Sequence, residues 1–321
     1  MRAESIPEDA AATLGLSVSH DVPLAQFTAM RVGGPADCLV VAHTADEVVR
    51  AVKLAQQIGL SWQVIGGGCN VLIADEGLRG LVIVNRADSI VFEGSNVHAD
   101  SGAKLSVVAQ EAVDRGLAGL AWAAGLPGTV GGGVVGNAGA FGGDIARVLR
   151  RATVLGPDGV AIERENEWFE FRYRGSRIKR ERRRAKERPG SGSHVVLRAS
   201  LELEKGDAVA LRDRAEELLA WRRSRHPAGA TMGSTFMNPP DNHAGRLIEQ
   251  AGLKGYRVGG ARVSDLHANF LMNDGHATAG DVLALIQHIQ QEVQRQSGVY
   301  LELEIELLGW EASGPVDDNE G

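Results

Sequence analysis

With 321 residues, 44% of them hydrophobic, the chain is long enough to bury a sizeable core and to form two or three compact units. A formal net charge of −7 excludes a general affinity for nucleic acid or an anionic membrane, because either needs a basic face to displace counterions. Cys38 and Cys69 have neither metal-ligand spacing nor a disulfide framework, residues 1–9 lack the apolar core of a signal peptide, and no stretch nears the roughly 20 apolar residues of a membrane span. The expectation is a cytoplasmic protein with no metal and no membrane insertion.

Thr44-Ala45-Asp46-Glu47 is a capping box, and the apolar spacing after it predicts an amphipathic helix that stops at Gly59. Predicted strands at 37–41 and 61–65 flank that helix, and the second runs into the loop Ile65-Gly66-Gly67-Gly68-Cys69-Asn70. A further strand is predicted at 81–84. The next unit starts with a helical pattern at 105–113 ending at Gly116, continues through a glycine-rich segment at 125–143, and has strand candidates at 152–155 and 194–204. Gly156-Pro157-Asp158-Gly159 is a hairpin signal. The Arg, Lys and Glu run at 177–188, ending in Pro189-Gly190-Ser191-Gly192-Ser193, reads as a solvated loop. A third unit has helices at 208–223 and 278–296, the latter with Thr278 and Asp281 at its start and a stripe of Val282, Leu285, Ile286, Ile289 and Val293. Gly298 ends it, a strand at 299–308 follows, and the acidic tail 311–321 reads as disordered.

Gly131-x-Gly133-x-x-Gly136 matches the dinucleotide fingerprint, but that motif needs a strand before it and a helix after it. Here Pro127-Gly128 precedes and Asn137-Ala138-Gly139 follows, which argues against a Rossmann unit. Two glycine loops whose bare backbone admits main-chain amides to an anionic group fit better, and together they could hold one extended cofactor. Either loop alone could equally be a tight turn. Ser234, between Gly233 and Thr235-Phe236-Met237-Asn238-Pro239, could fix a hydroxyl beside an aromatic wall or could equally be a cap or a turn, and no nucleophile elbow surrounds it. Glu302, Glu304 and Glu306 alternate with apolar residues, which puts three carboxylates on one strand face without choosing among them. Arg174, in Tyr173-Arg174-Gly175-Ser176, offers a guanidinium suited to clamping a carboxylate or offsetting developing negative charge. The nine histidines show no metal-binding spacing. Together these features suggest a reductase that carries a bound cofactor and protonates its product.

In this order the motifs resemble the UDP-N-acetylenolpyruvoylglucosamine reductase (MurB) family of flavoenzymes. The resemblance covers about residues 20–310 and rests on Thr28-Ala29-Met30-Arg31-Val32-Gly33-Gly34-Pro35-Ala36, residues 66–72, Gly125-Leu126-Pro127-Gly128-Thr129-Val130-Gly131-Gly132, residues 137–143, Phe171-Arg172-Tyr173-Arg174-Gly175-Ser176, residues 233–239, residues 247–255 and residues 298–309. It implies an α+β chain: a two-subdomain FAD-binding unit of the vanillyl-alcohol-oxidase (PCMH) type at 20–85 and 86–206, then an α+β substrate-binding domain at 207–310. It also implies the reaction, in which NADPH, through bound FAD, reduces UDP-N-acetylglucosamine enolpyruvate to UDP-N-acetylmuramate for peptidoglycan synthesis.

By motif match the resemblance makes Ser234 the proton donor, Arg174 the cation at the substrate carboxylate and Glu304 the acid supporting it. Gly66, Gly67, Gly68, Cys69, Asn70, Gly128, Thr129, Gly131, Gly132, Asn137 and Gly139 would hold the flavin. Tyr173, Asn238 and His267 would line the substrate pocket. The short link after Arg174 lacks the long substrate-covering loop of one subtype. Gly133, Gly136, Met237, Glu306 and the basic insertion at 179–188 depart from the family pattern, and the two glycines suggest a looser flavin loop. A flavin oxidase of the wider fold class and a non-catalytic flavin-binding module are the alternatives. The Ser234 and Glu304 motifs argue against the first, and retention of all three chemical residues argues against the second.

Overall fold

A computed structural model of the chain describes residues 6, 8–186 and 194–310. The expectations for 187–193 and for the tail at 311–321 lie outside the described residues.

The first sheet has the order Val18–Pro23, Pro35–Ala42, Leu78–Asn85, Trp62–Ile65. Leu78–Asn85 runs parallel to both of its neighbours and is buried at all but one position, the pattern of a strand covered on both faces. Helix Ala45–Gln57 supplies the crossover. Thr44 caps it by accepting from the Glu47 amide at 3.1 Å, and Val48, Ala51, Val52, Leu54 and Ala55 turn inward as the apolar spacing requires.

The second sheet is antiparallel throughout, in the order Ala161–Glu165, Leu149–Leu155, Val195–Glu202, Asn96–Asp100, Ile90–Glu93. Its hairpin turn falls at the predicted Gly156–Gly159 tetrad, closed by Gly159 N donating to Gly156 O at 3.0 Å. Helix Leu105–Asp114 and the short helix Val130–Gly136 pack into its core. The third core gathers helices Ala244–Gln250 and Ala279–Ser297 around the small sheet Arg257–Val258, Ala261–Val263, Leu271–Asn273. Met30, Val32 and Leu72 from the first part of the chain are embedded in that third core. Asp75 adds a polar tie, accepting from the amides of Ala279 and Gly280 at 2.8 Å each and so placing a carboxylate at the start of the last long helix.

Two elements differ from expectation. Residues Arg177–Lys186 form a helix, because Arg, Lys, Glu and Ala are good helix formers and Ile178 and Lys179 turn fully inward. The predicted strand at 299–308 is regular only at Glu306–Leu308, which pairs in parallel with Val71–Ile73. Residues 302–304 instead bond to the serine segment: Glu302 O accepts from Met237 N and Glu304 N donates to Thr235 O, each at 2.9 Å. That detour brings residues 304–308 against the first glycine loop, and it leaves Glu302 exposed while Glu304 turns inward.

Candidate active site

The two glycine loops meet. A Cβ on Gly67 would lie 3.1 Å from the Gly128 Cα, and one on Gly66 would lie 2.5 Å from Thr129 Oγ1. At Gly68 the backbone has φ +62° and a Cβ would come within 2.0 Å of the Phe27 carbonyl oxygen, so only glycine fits. Among the described residues, the amides of Gly67, Gly68, Cys69 and Asn70 donate no hydrogen bond. Where the loops approach, a cavity of ≈ 70 Å³ is lined by Gly66, Asn85, Ser101, Thr129, Gly131 and Gly132, among others. Bare backbone on two sides and undonated amides in one loop are what a flat, polyanionic cofactor such as FAD requires, and the residues present fit it.

The fingerprint-like glycines 131, 133 and 136 lie inside the seven-residue helix Val130–Gly136 rather than at a strand-to-helix turn. Asn137 ends that helix in the left-handed region at φ 44°, and its amide is fully engaged, donating to Arg172 O at 3.1 Å and accepting from Ala146 N at 3.0 Å. It ties the glycine helix to the arginine turn. Gly139 pairs with Asp144 in a two-residue hairpin and keeps the backbones close: a Cβ there would lie 2.7 Å from Gly143 O. Burial pushes the Cys69 thiol up, and it donates to Gly67 O at 3.2 Å, so it serves the loop's shape and not nucleophilic chemistry. Asn85, Arg86 and Ser101 belong to this cradle although no motif marked them. Asn85 donates to Ser101 Oγ at 2.7 Å, and Arg86 donates to Gly66 O at 2.8 Å. Their signal was a polar pair, Asn85-Arg86, at the carboxyl end of a parallel strand, where open sheets present their ligand crevice.

Arg174 sits in a tight turn closed by reciprocal bonds between Arg172 and Gly175 at 3.0 and 3.1 Å. Its φ of 53° is unusual for a side-chain-bearing residue and marks local backbone strain. Its Nε forms an ion pair with Glu304 Oε1 at 2.9 Å, and its guanidinium lies 5.3 Å from the centre of the Tyr173 ring. Burial raises the Glu304 carboxyl above the ordinary range, opposed first by Arg174 and then by Lys179.

Ser234 follows Gly233, whose φ is +80°, and lines a cleft of ≈ 280 Å³ with Asn238, Arg246, His267 and Asn269, among others. Its neighbour Thr235 carries the carbonyl that accepts from Glu304 N, so the hydroxyl and carboxylate segments are laced together. Asn238 donates to the Tyr173 hydroxyl at 3.4 Å and accepts from Ala244 N at 3.0 Å. His267 Nδ1 accepts from Asn269 N at 3.2 Å, which assigns the neutral ring its proton on Nε2; burial holds the ring below the usual histidine range. The structure thus brings Arg174 against Glu304, sets Ser234 next to Thr235, whose carbonyl accepts from Glu304 N, and places Asn238 and His267 in the serine cleft. Tyr173 stands exposed and touches that cleft through its hydroxyl, which accepts from Asn238. Asn269, buried at 3% exposure, went unrecognised by sequence reasoning. Among the described residues no cluster of three or more His, Cys, Asp or Glu is placed to hold a metal ion, and no helix is long and apolar enough to cross a membrane.

The glycine cradle and its two sheets define an FAD-binding flavoprotein, and residues 36–164 match the FAD binding domain family. Residues 225–308 match the family described as UDP-N-acetylenolpyruvoylglucosamine reductase, C-terminal domain. UDP-N-acetylenolpyruvoylglucosamine reductase of Bacillus subtilis is 40% identical over 290 residues, covering 89% of this chain and 92% of its own length. That of Rubrobacter xylanophilus is 42% identical over 295 residues, covering 91% and 96%. The crystal structure of the Thermus caldophilus reductase superposes with a TM-score of 0.77 at 34% identity, covering 91% of this chain and 99% of that one. The chain belongs to the UDP-N-acetylenolpyruvoylglucosamine reductase family.

Proposed function

We propose that the chain catalyses the NADPH-dependent reduction of UDP-N-acetylglucosamine enolpyruvate to UDP-N-acetylmuramate, with Ser234, Arg174 and Glu304 as its chemical residues. FAD held between the two glycine loops would supply the hydride, taken from NADPH, for the terminal carbon of the enolpyruvyl group. Electron density then builds on the adjacent carbon and its carboxylate, so the protein must supply a cation and a proton there. Arg174, held against Glu304 at 2.9 Å, meets the carboxylate. Ser234 gives its hydroxyl proton to the adjacent carbon, completing the saturated lactyl ether. Glu304 fixes the guanidinium and, two residues from the strand paired with Val71–Ile73, couples it to the flavin loop.

The observation that supports this reading is that Arg174 pairs with Glu304, 130 positions away, while Glu304 N donates to the carbonyl of Thr235, the residue that follows Ser234. Further parts of the reading are the division into subdomains at 20–85 and 86–206 and a substrate domain at 207–310, flavin contacts from the two glycine loops, substrate contacts from Tyr173, Asn238 and His267, the subtype without the long covering loop, and a cytoplasmic location.

Anaerobic stopped-flow absorbance tests it. One equivalent of NADPH should bleach the oxidised flavin, and UDP-N-acetylglucosamine enolpyruvate should restore its spectrum. Flavin that stays reduced until oxygen is admitted would favour an oxidase instead.

A further inference from the structure

Lys179 is 4% exposed, an uncommon position for a lysine, and no motif assigns it a task. A buried ammonium is costly unless its donors are satisfied. Here Nζ donates to Arg174 O at 3.1 Å and to Glu304 O at 3.0 Å, the main-chain carbonyls of the two residues that form the central ion pair. The Glu304 carbonyl also accepts from Asn70 Nδ2 at 3.2 Å, so one oxygen joins the basic helix, the first glycine loop and the Glu304 segment.

The helix that carries Lys179 is itself held firmly. Ser176, fully buried just before it, donates to Val135 O at 2.7 Å and so anchors it to the glycine helix. One turn beyond Lys179, Arg183 donates to Leu303 O at 3.1 Å. Residues 179 and 183, four apart on the helix, thus grip consecutive carbonyls of the Glu304 segment. Arg174 gains from this in particular: its left-handed backbone is strained, and a donor on its own carbonyl holds that conformation. The charged groups facing Lys179 are Glu306, Arg183, Glu304 and Arg174, so its ammonium also adds to the positive potential around the Glu304 carboxylate.

We infer that Lys179 is a positioning residue for the substrate half-reaction: its buried ammonium staples the backbone of Arg174 to that of Glu304 and fixes the geometry of their ion pair. This rests on the reductase reading above. A small displacement of a guanidinium at the reacting centre is enough to cost decades in rate, without change to the flavin site.

The test uses the flavin-loaded enzyme and two variants, Lys179→Met, which removes both charge and donor, and Lys179→Gln, a neutral donor. Flavin reduction by NADPH should stay within about twofold of wild type, while reoxidation by UDP-N-acetylglucosamine enolpyruvate should slow by roughly 10- to 100-fold in Lys179→Met and less in Lys179→Gln. The Arg174–Glu304 pair needs an ionised Glu304, so reoxidation should fall as that carboxyl is protonated, and removing the nearby cation should move this limb to higher pH, a shift that a merely structural residue would not produce. Wild-type reoxidation with an unmoved limb in either folded variant would overturn the inference, as would equal loss of both half-reactions. Failure of both variants to fold would overturn it too, by making Lys179 a folding residue. If wild-type enzyme itself is not reoxidised by this substrate, the reductase reading fails first, and the two failures are distinguished.

Discussion

The side-chain amide of Asn269 is bonded at both ends to the main chain of Phe236, accepting from its N–H at 2.9 Å and donating to its carbonyl at 2.8 Å. Together with Thr235 N donating to Asn269 O at 2.9 Å, this makes residue 269 the template on which the Ser234 segment is laid. Asn269→Ala should leave a buried N–H and carbonyl of Phe236 without partners, at about 1–3 kcal/mol for each group left unsatisfied. The expected outcome is a lower thermal midpoint of the flavin-loaded protein and slower reoxidation by substrate, with NADPH reduction of the flavin retained. An unchanged midpoint and unchanged reoxidation would show that the segment holds its course without this amide.

Ser234→Ala separates the two half-reactions more sharply. The hydroxyl is far in sequence from the glycine cradle and lies on a segment whose backbone bonds do not involve its side chain, so flavin should remain bound and be reduced by NADPH at the wild-type rate. Loss of a transition-state donor should slow transfer to the substrate by two to three decades, about 3–4 kcal/mol. Single-turnover traces recorded for each half-reaction decide it, and equal loss in both would count against Ser234 as proton donor.

Local signals were strong enough to reveal much of this fold. Thr278 and Asp281 form the capping box that starts helix Ala279–Ser297, and Gly298 at φ 74° ends it, so both boundaries were legible. The Arg177–Lys186 helix was not, because its charge density masks the fact that Ile178 and Lys179 face inward. Likewise, alternation could not single out Glu304 from Glu302 and Glu306. That choice depends on Arg174, which is 130 positions away and reaches the carboxylate only through tertiary structure. Arg174, Ser234 and Glu304 stand out in the sequence through their motifs, whereas Lys179 and Asn269 do not, since their hydrogen bonds go to backbone atoms of other segments and leave no periodic or compositional trace.

Gly136 closes a short helix with no positive φ, and a Cβ there would meet nothing within 4 Å. Replacing such a glycine by alanine restricts the unfolded chain and costs no native contact, so Gly136→Ala should stabilise the protein by about 0.4–1 kcal/mol. Gly133 is the contrast, with Leu105 Cδ2 only 3.3 Å from its Cβ position. Thermal midpoints of the two flavin-loaded variants check this: Gly136→Ala should melt higher than wild type, and Gly133→Ala should gain less or lose. A lower midpoint for Gly136→Ala would mean that its bare backbone is needed for more than the turn.

His226 is a group whose titration should be visible in folding. It packs against Phe270 with ring centres 4.8 Å apart and against His267 at 5.6 Å, and Arg222 Nη1 lies 3.5 Å from its Nδ1. Burial first, then the charge of Arg222 and the neighbouring His267, lower it from 6.5 to about 4. A depressed histidine is neutral in the folded state while its unfolded counterpart still takes up a proton, so stability is fully present above pH 6.5 and is lost as the pH falls through about 4. Because the ring is only about half desolvated, the loss should be about 1–2 kcal/mol after allowance for solvent screening. His226→Gln cannot take up that proton. Its thermal midpoint should fall less than that of wild type between pH 7 and pH 4.5, with a residual slope of the same sign from His267, which burial also lowers. Parallel midpoint curves for the two proteins would sink the assignment.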